Sequence, residues 1–123
     1  MRGLNVTAAL AFDVTICSCG WIVYENRAAL NLVGLITIYA VMAIQIATHW
    51  IMYANDLRCN PVENDIFACN KIAFAFGLVY VVTFARIVTQ TKSRWAWFGI
   101  LTGLVMCLSH VVYLWGPFLG PAE

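Results

Sequence analysis

Residues 28–54 read AALNLVGLITIYAVMAIQIATHWIMYA, with no Asp, Glu, Lys or Arg among them. A helix rises 1.5 Å per residue, so about 20 apolar residues cross the roughly 30 Å hydrocarbon layer of a bilayer. This segment exceeds that length and predicts a spanning helix with some tilt. A lone strand or open sheet would leave backbone N–H and C=O groups unpaired in lipid, whereas a helix satisfies them within the segment.

Working outward, three more apolar runs predict spans at residues 4–24, 72–90 and 95–119. Glu25-Asn26-Arg27 and Thr91 to Arg94 are too short to let the chain do anything but reverse. The expected fold is therefore an all-α integral membrane protein, one domain over 1–123, with four transmembrane helices in an up-down-up-down antiparallel bundle. Composition agrees: the 123 residues are 63% hydrophobic and 11% charged, against roughly 25% charged in soluble domains. A chain this short cannot bury so much apolar surface by itself, which makes the lipid bilayer its first expected partner. A net charge of +1 leaves no basic footprint for nucleic acid. Arg2 with Leu4–Leu10 starts like a signal peptide, but Asp13 interrupts the apolar run and no A-x-A site follows, so a retained span is expected.

Orientation is weakly encoded. Arg27, Lys92 and Arg94 lie on the side of the two short turns, and Arg2, Arg58 and Lys71 on the side of the termini and the loop at 55–71, a tie unless Arg86 reaches the turns. The loop breaks it. Cys59 and Cys69 flank Pro61, Glu63 and Asp65, and a disulfide between them removes on the order of 2–3 kcal/mol of chain entropy from the unfolded state. Such a bond needs an oxidising compartment. The loop and both termini are therefore expected outside the cytoplasm, in a bacterial inner or plasma membrane.

Polar residues at membrane depth are functional candidates because each costs a few kcal/mol unless satisfied. His110 shares a helical stripe with Met106, Gly103 and Gly99, the last two forming a GxxxG that permits close approach. His49 shares a stripe with Gln45, Met42 and Asn31. The two histidines sit on parallel helices at depths differing by roughly 6 Å. Such a pair suits ligation of haem or (bacterio)chlorophyll or a proton relay, or each ring hydrogen-bonds across a helix interface. The stretch around His110, Trp115 and Pro117 resembles the C-terminal end of the bacterial light-harvesting β polypeptides, a likeness of about a dozen residues that implies only fitness for pigment binding.

Asp13 lies about halfway along the first span, and Arg86, roughly 7 Å deeper on the third, is the candidate partner for proton or ion coupling. The alternative is that Arg86 snorkels to the interface beside Lys92. Four short spans with one carboxylate in the first are similar in layout to the small multidrug resistance transporters, which implies a coupling role for Asp13. The chain departs from them in having Asp for Glu, a cysteine-bearing loop and an arginine in the third span.

Ala43 with Ala47, Ala73 with Gly77, and Gly99 with Gly103 are spaced for helix packing. Cys17 and Cys19 diverge on one helix and cannot pair locally. No motif assembles a nucleophile, a base and an oxyanion site, so an enzyme is not expected. The function expected is a non-catalytic subunit of a membrane complex, assembling with other subunits or with copies of itself. The alternatives are a transporter coupled through Asp13 and a holin-like pore.

Overall fold

The computed structural model describes the backbone of residues 6–54 and 71–119 and the side chains of residues 10–51, 54 and 74–108. Four α-helices account for nearly all of this: α1 (Val6–Glu25), α2 (Leu32–Ala54), α3 (Lys71–Thr91) and α4 (Ala96–Leu119), with a 3-10 turn at Arg27–Ala29 and no strand among the described residues. Two of them are long and apolar enough to cross a membrane, over Leu32–Ile51 and Phe74–Thr91, and α4 carries a shorter apolar stretch, Ala96–Leu108. Cys59 and Cys69, with their expected disulfide, lie outside the described residues.

The helices pack in chain order, α1 on α2, α2 on α3, α3 on α4, and α4 back on α1. Cys19, late in α1, meets Thr102, early in α4, at 3.8 Å, so these two neighbours run antiparallel. The core collects Ile16 and Val23 of α1, Ile38 and Met42 of α2, and Tyr80, Phe84 and Ile87 of α3.

The α3–α4 hairpin is the tightest contact. Gly77, Gly99 and Gly103 are all buried. A Cβ on Gly77 would stand 2.6 Å from the Gly103 carbonyl oxygen, and one on Gly103 would stand 2.7 Å from that of Gly77. A Cβ on Gly99 would enter the Phe84 ring. Absence of side chains at these positions is what lets the two backbones touch. Ala43 and Ala47, by contrast, are exposed on the outer side of α2, and the side chain of Ala73 lies outside the described set.

Helix ends follow local hydrogen-bonding chemistry. The expected span from residue 28 begins as a helix only at Leu32, because the Asn31 Oδ1 accepts the Gly34 N–H at 2.7 Å and caps the first turn. Asn31 is thus an exposed cap and does not continue the inward stripe of His49 and Gln45. At the other hairpin the Lys92 N–H donates to the Val88 carbonyl at 2.9 Å, and Lys92 itself takes a left-handed φ of 54°.

Polarity runs inward. Gln45, Thr48 and Thr83 are buried, while Val14, Leu32, Val33, Val82 and Leu101 are among many large apolar side chains left exposed. Hydroxyls nearer the surface are satisfied locally: Thr15, Ser18, Thr37, Thr91 and Thr102 each donate to the carbonyl four residues back.

Candidate functional site

The short connection between α1 and α2 places the start of one beside the end of the other. At 1.5 Å per residue, Asp13 lies roughly 10 Å in from the start of α1 and His49 roughly 8 Å in from the end of α2. They meet. The His49 Nδ1 stands 3.7 Å from the Asp13 Oδ1, with the side chains 13% and 19% exposed. That separation exceeds a hydrogen bond, and both atoms are buried with no hydrogen-bond partner. The other carboxylate oxygen is held: the Trp50 Nε1–H donates to the Asp13 Oδ2 at 2.6 Å. Phe12 covers the imidazole, with ring centroids 4.9 Å apart.

One turn further in on α2, Gln45 forms a second polar centre. The Tyr80 hydroxyl donates to its Oε1 at 2.7 Å, and its Nε2 donates to the Met106 Sδ at 3.3 Å. One buried amide therefore ties α2 to α3 and α4 and satisfies the tyrosine head group that burial would otherwise strand.

Arg86 is elsewhere. Its Nε donates to the Ala29 carbonyl at 3.2 Å, at the turn end of the bundle, and among the described residues Asp13 forms its one ion-pair contact with His49. The acid and the arginine expected to pair are thus held by different partners at different depths. The side chain of His110 lies outside the described residues. The Gln45–Met106 contact closes the space between α2 and α4 one turn in from His49. The His49 Nδ1 faces Asp13 and its ring lies against Phe12. No cluster of three or more His, Cys, Asp or Glu among the described residues could hold a metal ion.

Two grooves open on the surface. One of about 730 Å³ lies between α1 and α4 at the turn end, lined by Ser18, Trp21, Glu25, Asn26, Trp95 and Phe98 among others. One of about 340 Å³ lies between α2 and α3, lined by Gly34, Thr37, Leu78 and Val82 among others. The thiols of Cys17, Cys19 and Cys107 are free.

Sequence reasoning singled out Asp13, His49 and Gln45 but missed Trp50, Phe12 and Tyr80, and missed the pairing of the acid with the imidazole. Counting depth from the shared end of adjacent helices, rather than between helices of like direction, is the signal that finds it. Compared with known proteins, the chain matches no family model, no curated sequence and no solved structure.

Proposed function

We propose that this chain is an integral membrane protein whose four helices all span the bilayer, and that it works by assembling within the membrane with other subunits or with copies of itself. The observation that carries this reading is the inverted distribution of polarity. Gln45, Thr48 and Thr83 point inward while large apolar side chains of all four helices face out, the arrangement that lipid, not water, favours. Assembly is supported by the exposed Ala43 and Ala47 on α2. Their small side chains touch no core and offer another helix the close approach that Gly77 and Gly103 use within the chain.

Arg86 bears on orientation. With its guanidinium at the turn end, that side carries Arg27, Arg86, Lys92 and Arg94 against Arg2, Arg58 and Lys71 on the other. The bias favours the turns in the cytoplasm.

The test is association in lipid. The chain should resist alkaline extraction from membranes. Ala43→Leu with Ala47→Leu should weaken association about tenfold or more, equivalent to roughly 1.4 kcal/mol, without lowering the monomer's unfolding temperature. Release by alkali would remove the membrane reading. Unchanged association in the double variant would remove this face from the interface.

A further inference from the structure

We propose that Asp13 and His49 form a binding site for a single exchangeable proton, and that its occupancy controls the contact between the outer halves of α1 and α2. The site needs only that contact, so it stands apart from the assembly reading.

The geometry is that of two halves of one hydrogen bond. Asp13 Oδ1 and His49 Nδ1 are both buried, both unpartnered, and separated by 3.7 Å. They are aimed at one another because the remaining freedom of each side chain is taken up. Trp50 holds the second carboxylate oxygen, and Phe12 lies against the imidazole face. A carboxylate is an acceptor only; a neutral imidazole carries its one N–H on either ring nitrogen, and the imidazolium donates from both. A proton taken from water forms a new N–H or O–H bond at this position and is shared across the gap. The charge of the pair then goes from −1 to 0. Charge-assisted N–H···O contacts settle near about 2.7–2.9 Å, so loading draws the two helices together by roughly 1 Å. Loss of the proton to water leaves a carboxylate facing a neutral ring, and the contact reverts to the longer separation seen here.

Other ligands fit poorly. A sodium- or calcium-like cation needs several oxygen ligands, and Oδ1 is the only buried unsatisfied carboxylate oxygen among the described residues. No other described charge neutralises the acid. On α3, Tyr80 is engaged by Gln45 and Arg86 by Ala29. On α1 and α2, Phe12 and Trp50 carry no charge. Towards this end of the other two helices the Cys107 thiol donates to the Phe74 carbonyl, Lys71, His110 and Tyr113 have side chains outside the described set, and the test removes Lys71 and His110.

The experiment uses the full chain in micelles, labelled with 13C at aspartate carboxyls and 15N at histidine imidazoles, titrated across about pH 4 to 9, the range an imidazole covers. The expected result is that the Asp13 carboxyl and His49 imidazole signals move together at one midpoint, with one proton taken up. The joint transition should be lost in Asp13→Asn, where the remaining His49 midpoint shifts, and in His49→Gln, and persist in His110→Ala and Lys71→Gln. Separate midpoints in the unmodified chain, or no movement of either signal, overturn the proposal without recourse to any variant. So does a His49 titration unchanged by Asp13→Asn.

Discussion

At the scale of single residues, the structure places its polar groups as linked sets, and the links set what a substitution costs. Gln45 accepts from Tyr80 and donates to Met106. Gln45→Leu therefore strands a buried phenol, and the expected loss is about 1–3 kcal/mol of stability. Adding Tyr80→Phe removes the stranded donor and should recover part of that loss, so a double-mutant cycle of unfolding in detergent should show clear coupling. Strict additivity would mean that the bond contributes nothing. Which residues matter was partly legible: Asp13, His49 and Gln45 each stand out as polar atoms in an apolar run. How they pair was not. Sequence spacing ranks neighbours within a helix, but a contact across helices depends on rotation about both axes. Reading Asp13 against Arg86 assumed a rotation that the Arg86–Ala29 bond excludes.

At the scale of elements, the glycines divide into those that hold a contact and those that do not. Gly103 leaves no room for a Cβ, with the Gly77 carbonyl 2.7 Å away and the Tyr80 Cβ 2.8 Å away. Gly103→Ala must force α3 and α4 apart, at an expected cost of about 1–3 kcal/mol. Gly20→Ala meets the Met42 Sδ at 3.6 Å and the Tyr39 Cε1 at 3.8 Å, both ordinary contacts. It should be neutral or stabilise by up to about 1 kcal/mol through helix propensity. Thermal unfolding of the two variants side by side checks this; equal effects would mean that the hairpin contact is not what holds these helices. The helices themselves were legible from apolar run length, and their ends came within two residues except at α2. There Asn31 looked like one more polar residue in a span. It is a cap, because its amide oxygen competes for a backbone N–H, a choice that depends on side-chain conformation and not on residue type.

At the scale of the whole molecule, the proposed direction in the membrane rests on a margin of one cation once Arg86 is counted with the turns. Neutralising Arg27 and Arg94 together, both to Gln, leaves Arg86 and Lys92 against Arg2, Arg58 and Lys71. The variant should insert in mixed or reversed orientation, read by the accessibility of a single cysteine placed in the 92–95 turn to impermeant reagents on either side. Unaltered orientation would show that something other than charge directs insertion. The left-handed Lys92 takes on meaning here. A residue with a Cβ at φ 54° costs roughly 1–2 kcal/mol more than glycine in the same conformation. Glycine at this position should make a more stable hairpin and a chain less certain which way to enter. Under the proposed topology, Lys92 trades hairpin stability for a cation on the turn side, and Lys92→Gly evens the count at three against three.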